Sequence, residues 1–272
     1  MQPVNIGIIG LGNVGLGTLD VLAENHELIQ QKLGFALSVV AICSRGVAQR
    51  HVPAAFASAH RTAHWHEVVE NPDVHIVAEL VGGTGVAREI MESSIAQKKS
   101  VVTANKELMA VAGVDLWDKA IAAGVNIGME ASVAGGIPIH NVLREGISAD
   151  RINTLYGILN GTCNYILTAI EQHGSSFEHV LAEAQRAGYA EADPSADIDG
   201  FDARSKLAIL AALAFGERIV PSDIFTEGIR RITPIDFEYA HQLPSLIWHP
   251  EHPSNHTVAT LTLFIAGLLS ST

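Results

Sequence analysis

Short apolar runs alternate with amphipathic stretches over the first 130 residues of the chain. Runs rich in β-branched residues predict five strands, at 4–9, 37–43, 74–80, 100–104 and 126–130. Apolar residues at helical spacing predict a helix after the first strand and two more at about 86–97 and 108–123. Because strands that alternate with long helices favour right-handed crossovers, the pattern predicts a doubly wound α/β domain with a parallel sheet over residues 1–130.

Helical spacing predominates after Glu130. One β-rich run at 153–159 is followed by three helical patterns, at about 162–173, 177–187 and 201–215. Two glycines and a proline within 131–138 suit a turn out of the fifth strand. The sequence therefore predicts a second, α+β domain over 131–272. Its apolar segment at 257–265 has the composition of a strand, and we expect it to pair with the sheet of that domain.

Composition and charge narrow the classes of partner. The 272 residues are 48% hydrophobic and 17% charged, which is typical of a globular protein. Acidic residues number 29 against 17 basic ones, and this balance repels nucleic-acid phosphates and anionic membranes. We therefore expect no nucleic-acid or membrane partner. Two cysteines and the lack of a leader pattern at the N-terminus favour a cytoplasmic location.

A glycine motif follows the first predicted strand and opens the first predicted helix. Gly10 allows a tight turn, Gly12 lets a pyrophosphate approach the backbone, and Gly15 permits close packing of the helix. The alternative is an ordinary glycine-rich turn, but the position between strand and helix is the one that the binding mechanism requires. The motif predicts a Rossmann-like domain that binds a dinucleotide.

The end of the second predicted strand bears on which dinucleotide binds. Cys43, Ser44 and Arg45 stand there, and none of them is acidic. An NAD-selective fold usually holds the ribose 2'-hydroxyl with an acid, whereas an arginine suits the 2'-phosphate of NADP. The sequence favours NADP, with NAD as the alternative. If Arg45 has no role in binding, it is an ordinary solvated arginine on the surface.

Five carboxylates lie within twelve positions of the second predicted domain: Glu191, Asp193, Asp197, Asp199 and Asp202. A solvated loop, or an exposed ion pair between Asp202 and Lys206, is the simplest interpretation. However, Lys206 lies in line with apolar residues three, four and seven positions later, which predicts that its side chain is partly buried. A partly buried lysine beside acids suits proton transfer with a small cationic or zwitterionic substrate.

Three other residue sets carry weaker signals. Lys106 follows the fourth predicted strand, at the sheet edge where ligands bind in such folds, although a surface lysine at a helix start would look the same. None of the 13 histidines stands in a metal-ligand motif. Cys163 lies in a helical pattern. A cysteine there is usually a small side chain packed in the core and less often a nucleophile.

Taken together, six strings of this sequence resemble homoserine dehydrogenases, and the resemblance runs from about Ile6 to Ala240. The strings are GLGNVG at 10–15, ELVGG at 79–83, VVTANK at 101–106, EASVAGGIPI at 130–139, GILNGTCNYIL at 157–167 and GYAEADPSADIDGFDARSKLAIL at 188–210. The resemblance implies reversible NAD(P)-dependent interconversion of L-homoserine and L-aspartate 4-semialdehyde, on the route to threonine, isoleucine and methionine. It also implies a homodimer formed through the sheet of the second domain.

The resemblance further implies roles for individual residues. Those assigned to the cofactor are Gly10, Gly12, Asn13, Val14, Gly15, Arg45, Gly83, Thr84, Thr103 and Lys106. Those assigned to the substrate are Glu191, Asp197, Asp202 and, through its backbone, Gly157. Lys206 is the implied catalytic proton acceptor, with Lys106 assisting it electrostatically. Those assigned to a monovalent cation, normally sodium, are Glu130, Val133, Gly135 and Ile137.

From about residue 241 the sequence departs from the family's pattern, and two other functions therefore stay open. One is an enzyme like aspartate-semialdehyde dehydrogenase, in which Cys163 would have to serve as the acyl-forming nucleophile. The other is a non-catalytic remnant that binds NADP.

Overall fold

The computed structural model describes residues 3–242 of the chain. They divide between two compact units, Met1–Ser148 and Ala149–Thr272, and each unit is described by itself. The predicted strand at 257–265 lies outside the described residues. Among residues 3–242, no helix has the length and apolar character that crossing a membrane requires.

The first unit contains a parallel sheet of six strands. The strands are β1 Val4–Ile9, β2 Leu37–Cys43, β3 His60–Thr62, β4 Ile76–Glu79, β5 Ser100–Thr103 and β6 Ile127–Gly128. Their order in the sheet is β3-β2-β1-β4-β5-β6. The chain moves outward from β1 in one direction and then returns to its other side at β4. This reversal is the topological switch point of a doubly wound fold, so the predicted fold class is confirmed.

Helices cover both faces of the sheet. Those of the first unit are α1 Asn13–Glu24, α2 His26–Leu33, α3 Trp65–Val69, α4 Val86–Ala96, α5 Lys106–Ala123 and α6 Ile139–Asn141, the last continuing into a π-helical turn at Val142–Gly146. Ile8 and Ile42 belong to one apolar cluster, whereas their neighbours Ile9 and Ala41 belong to another. Because successive strand residues face opposite sides, the sheet has an apolar core on each face.

The sequence missed one strand of this sheet. β3 has the residues His60, Arg61 and Thr62, and they pair with the end of β2 at the edge of the sheet. Three polar residues carry no apolar period, so only the pairing with a neighbouring strand reveals them as a strand. The strands β1 and β2 have the predicted bounds, and the other predicted strands are shorter than expected.

The described part of the second unit is helical. Its helices are α7 Gly161–His173, α8 Phe177–Arg186, α9 Ser195–Ile198, α10 Phe201–Phe215 and α11 Pro234–Gln242. Its core forms where one face of α7, including Ile166 and Ile170, packs with Val180 of α8 and Ile198 of α9. The helices α7, α8 and α10 begin and end close to their predicted bounds, whereas α9 and α11 were not predicted.

The prediction of a strand at 153–159 is wrong. These residues form neither strand nor helix, although their composition is rich in β-formers. The physical reason is pairing, because a strand needs a neighbour to satisfy its backbone N–H and C=O groups. No other strand exists among residues 149–242 to act as that neighbour.

Candidate functional site

The turn between β1 and α1 is built by two glycines that leave no room for a side chain. Gly10 has a φ of +108°, and a Cβ at this position would lie 2.4 Å from the carbonyl oxygen of Leu80. A Cβ at Gly15 would lie only 2.0 Å from the carbonyl oxygen of Gly10. Both glycines are therefore required for the strand, the turn and the helix to pack as they do.

The middle glycine of the motif has a different environment. A Cβ at Gly12 would meet no atom within 4 Å, so the space beside it is open. Gly12 is the N-cap of α1, and no side chain among the described residues caps this helix. The first backbone N–H groups of the helix, those of Asn13 and Val14, are thus available to an anion such as a pyrophosphate.

A buried hydrogen-bond network joins the ends of β4 and β5. The carboxylate of Glu79 is fully buried and accepts hydrogen bonds from the Thr103 hydroxyl at 2.7 Å and from the backbone N–H groups of Val81 and Gly82 at 2.8 and 3.2 Å. The Asn105 side chain donates to the carbonyl oxygen of Gly83 at 2.6 Å. This network fixes the loop after β4 against the start of α5.

The network also determines where the residues assigned to the nicotinamide side lie. Gly83 has a φ of +71° and, like Thr84, is exposed. Thr103 is fully buried and its hydroxyl is used within the protein, because it donates to Glu79 and accepts from the backbone N–H of Asn105 at 3.0 Å. Lys106 is half-buried at the first position of α5.

Sequence reasoning missed Glu79 and Asn105 as residues that shape this edge of the sheet. The available signal was a carboxylate within the last residues of an apolar strand pattern, where a charge is costly unless the protein supplies hydrogen-bond donors. Arg45, in contrast, lies where the sequence placed it, exposed and two residues beyond the end of β2.

The segment assigned to a cation follows β6. Glu130 is exposed and opens a short 3₁₀ turn, Val133 is buried, and Gly135 and Ile137 are exposed. Ala134 and Gly136 have φ values of 53° and 88°, and the Ile137 N–H donates to the Ala134 carbonyl at 2.8 Å. Such a sharply turned backbone presents carbonyl oxygens, the ligands that hard cations prefer. The donor chemistry of the segment therefore fits a small hard cation.

The acidic cluster of the second unit divides into two groups. Two of its members stabilise the loop itself. Asp193 accepts from the backbone N–H of Ser195 at 3.1 Å, and Asp199 forms a two-point ion pair with Arg230, whose Nη2 lies 2.9 Å from Oδ2. These contacts lower the pKa of both carboxyl groups, through the hydrogen bonds to Ser195 and to Arg230 respectively.

The other group includes Asp202, which pairs with Lys206. The Lys206 ammonium donates to Asp202 Oδ2 at 2.6 Å and to the carbonyl oxygen of Leu159 at 2.9 Å. The side chain of Lys206 is 21% exposed and that of Asp202 is 3% exposed. The prediction of a partly buried lysine is confirmed, and the ion pair is not the exposed surface pair considered as the simplest interpretation.

The remaining residues assigned to the substrate differ in their exposure. Asp197 is partly buried on α9, whereas Glu191 and Gly157 are exposed. The side-chain amide of Gln185 donates to the carbonyl oxygen of Glu191 at 3.0 Å, which ties this loop to the end of α8. The exposed residues present their carboxylate and backbone groups to solvent, where a small ligand can reach them.

Cys163 has the environment of a structural thiol. It is 3% exposed, and its Sγ donates to the carbonyl oxygen of Asp197 at 3.2 Å. Burial, with the charges of Asp197, Asp202 and Asp199, raises the pKa of the thiol to about 12. Because the thiolate is the nucleophilic form, this environment opposes the acyl-forming role that an aspartate-semialdehyde dehydrogenase would require.

Two protein-family models match the chain. The model of the NAD binding domain of homoserine dehydrogenase matches residues 10–130, and the homoserine dehydrogenase model matches residues 138–248. Residues 10–130 therefore form a domain of the type that binds a nicotinamide dinucleotide.

Individual proteins show the same relationship. A homoserine dehydrogenase from Pseudomonas aeruginosa is 46% identical over 92% of this chain and 57% of its own length. The structure of a homoserine dehydrogenase from Thiobacillus denitrificans superposes with a TM-score of 0.82 at 46% identity, covering 89% of this chain and 56% of that one. The chain thus spans a little over half the length of these relatives.

A shorter relative is covered more completely. An Archaeoglobus fulgidus protein that has been assigned to the homoserine dehydrogenases is 31% identical, and its crystal structure superposes with a TM-score of 0.77. The alignment covers 88% of this chain and 77% of that one. With both domains of the family matched in order, the chain belongs to the homoserine dehydrogenase family.

Proposed function

We propose that the chain catalyses the NAD(P)-dependent oxidation of L-homoserine to L-aspartate 4-semialdehyde and the reverse reduction. The observation that carries this proposal is the pair formed by Lys206 and Asp202, a partly buried amine held by a buried carboxylate on one helix. Family membership supports the choice of reaction. In the proposed pathway, the reduction supplies L-homoserine for the biosynthesis of threonine, methionine and isoleucine.

Lys206 acts on the hydroxyl group of the substrate. In oxidation, the neutral amine accepts the hydroxyl proton while the carbon that bears the hydroxyl loses a hydride. In reduction, the ammonium donates a proton to the developing alkoxide. The carbonyl oxygen of Leu159 and the Asp202 carboxylate hold Nζ in place during both steps. The bound nicotinamide supplies the hydride acceptor or donor.

Carboxylates and backbone recognise the rest of the substrate. Homoserine carries an ammonium group, and Glu191, Asp197 and Asp202 supply the negative charges that bind it. The exposed backbone of Gly157 provides a further hydrogen-bonding group. For Lys106 we propose an electrostatic role, the stabilisation of negative charge that develops during the reaction.

The cofactor that we propose is NADP, with NAD as a more weakly bound alternative. Gly12 leaves room for the pyrophosphate at the start of α1, where no described side chain caps the first N–H groups of the helix, those of Asn13 and Val14. The exposed guanidinium of Arg45 suits the additional 2'-phosphate. Gly83, Thr84 and the buried Thr103 shape the nicotinamide side, the last of them through Glu79.

A sodium ion is the cation that we propose for the segment after β6. Carbonyl oxygens of Val133, Gly135 and Ile137, with the Glu130 carboxylate, would hold it. No group of three or more histidine, cysteine or acidic side chains within residues 3–242 is arranged to hold a metal, so backbone oxygens would provide most of the ligands. We further propose a homodimer formed through the second unit.

The test is a spectrophotometric assay of the purified chain with L-homoserine and NADP. We expect NADP reduction that depends on L-homoserine and that D-homoserine does not support. The Lys206→Ala variant is the matched control, because it retains the cofactor domain. A chain that bound NADP without oxidising homoserine would instead be a nucleotide-binding remnant, and the proposed activity would be withdrawn.

A further inference from the structure

Asn160 occupies the point at which three helices of the second unit meet. It is the N-cap of α7, where its Oδ1 accepts from the backbone N–H of Cys163 at 2.8 Å. Its Nδ2 donates to Asp197 Oδ1 of α9 at 2.6 Å and to Asp202 Oδ2 of α10 at 2.9 Å. The residue is 6% exposed, so these bonds are shielded from water.

The hydrogen bonds of Asn160 fix which way its amide faces. A backbone N–H can bond only to the amide oxygen, and carboxylates can bond only to the amide nitrogen. Both N–H groups of the amide are therefore directed at acids. A neutral side chain with two donors holds two carboxylates that would otherwise repel each other.

The same segment controls Lys206. Asp202 Oδ2 accepts from Asn160 and from Lys206, so the two donors share one oxygen. The residue before Asn160, Leu159, supplies the carbonyl oxygen that accepts the second bond from Lys206. A movement of residues 159–160 would thus displace both the lysine and the acid that pairs with it.

We propose that Asn160 is a positioning residue for the reaction at Lys206. It orients the carboxylates of Asp197 and Asp202 and, through the oxygen of Asp202 that the two donors share, the position of the Lys206 ammonium. Asn160 contacts neither substrate nor cofactor in this role. The inference rests on the proposed function, since it assigns Lys206 to proton transfer.

Asn160→Asp is the sharpest test because Asp has nearly the same shape and is also a good N-cap. It replaces both donors by a third carboxylate beside two others, which strengthens the retention of the Lys206 proton. We expect kcat for homoserine oxidation to fall at least about tenfold, a fraction of what proton transfer contributes. The pH dependence of kcat/KM should move to higher pH by about one unit, while KM for NADP stays unchanged.

Asn160→Ser separates positioning from helix capping. Serine caps helices as well as asparagine does but is too short to bridge the two acids. The matched control is Ser176→Ala, which removes the cap of the adjacent helix α8 and touches neither acid. We expect Asn160→Ser to lower kcat and Ser176→Ala to lower only stability. Equal activity losses in both variants, tracking equal losses of thermal stability, would overturn the positioning role, as would an Asn160→Asp variant with the kcat and pH dependence of the unmodified chain.

A readout without substrate keeps this inference distinct from the proposed function. The rate at which acetic anhydride modifies Lys206 can be followed against pH by peptide mapping. We expect the Asn160→Asp variant to need a higher pH than the unmodified chain for the same rate of modification. If the chain did not oxidise homoserine, the proposed function would fail. The rate of Lys206 modification would still show whether Asn160 influences Lys206, because the same rate in the Asn160→Asp variant and the unmodified chain would overturn that influence.

Discussion

The glycine turn of the first unit and the acid–lysine group of the second are built by opposite means. Gly10 and Gly15 serve because they lack side chains, and the groups that face a ligand there belong to the backbone. In the second unit, the groups proposed for catalysis are polar and charged side chains, and Asn160, Asp202 and Lys206 hold one another. The proposed phosphate site thus depends on side chains that the sequence omits, whereas the proposed substrate site depends on which side chains folding brings together.

The largest effect should come from Lys206→Ala. Removing the proposed proton acceptor should lower kcat for homoserine oxidation by about 10²- to 10⁴-fold, the usual contribution of proton transfer. Cofactor affinity should change little because the glycine turn lies in the other unit. The measurements are steady-state kinetics and NADPH binding by fluorescence.

Lys99 offers a matched control for this variant. It is also a poorly exposed lysine whose ammonium donates to carbonyl oxygens, those of Asn71 and Val74, and burial lowers its pKa. Lys99→Ala should therefore reduce stability without a selective loss of kcat. Near-normal turnover in Lys206→Ala, or an equal loss of turnover in both variants, would contradict the contrast between the two units.

The next effect tests the glycine turn by adding one methyl group at two positions. Gly15→Ala places a Cβ against the backbone oxygen of Gly10, and we expect a loss of about 1–3 kcal/mol in the free energy of unfolding. Gly12→Ala enters open space, so stability should change by no more than about 0.5 kcal/mol while NADP affinity falls. Chemical denaturation and calorimetric titration with NADP measure the two quantities.

The difference between these two variants is the informative result. If Gly12→Ala destabilised the fold as strongly as Gly15→Ala, the middle glycine would be needed for packing rather than for a ligand. If Gly12→Ala bound NADP normally, the pyrophosphate would have to lie elsewhere.

The same contrast explains how far the sequence alone could go. β1 and β2 were predicted with their bounds because each is a mostly apolar run that ends at a turn or a polar residue. The run at 153–159 has similar composition, but composition does not supply the partner strand. Local pattern therefore predicts strands only where the sheet exists to accept them.

The candidate site was predictable to a similar depth. The alignment of Lys206 with the apolar positions of α10 indicated its partial burial. Asn160 and Glu79 were not singled out, because their importance comes from partners 24 to 42 positions away along the chain. Hydrogen bonds over that separation have no periodic signature, and only the fold reveals them.

A smaller effect is expected from Arg45→Ala, which tests whether a side chain contributes to recognition in the unit that otherwise uses backbone. The guanidinium is exposed, so its loss should hardly affect stability. We expect KM for NADP to rise about tenfold, the value of one charge-assisted contact, and KM for NAD to stay within about twofold. Arg50→Ala, which removes another exposed arginine of the same region, is the control. Equal changes for both cofactors would remove Arg45 from the 2'-phosphate site.

The smallest effect concerns His140 of the first unit, a buried polar side chain that can be compared with the paired acids of the second unit. It is 2% exposed, and neither ring nitrogen has a hydrogen-bond partner among the described residues. Burial lowers its pKa, against an opposing effect of Glu130 and with a further lowering by Arg144. With this lowered pKa, His140 binds a proton more readily in the unfolded chain than in the folded chain. The free energy of unfolding therefore falls as the pH drops below about 6.5.

His140→Leu should remove both the unpaired polar atoms and this titration. We expect the free energy of unfolding to rise by about 1 kcal/mol at pH 7.5, because the buried nitrogens no longer lack partners. The gain over the unmodified chain should grow between pH 7 and pH 5, where only the chain with His140 must resist protonation. His179→Leu is the control, since His179 is exposed on α8 and its replacement removes no buried nitrogen. Thermal denaturation at a series of pH values measures all three proteins. Parallel curves for His140→Leu and the unmodified chain would mean that His140 finds partners for its ring nitrogens, and the two units would then satisfy their buried polar groups equally well.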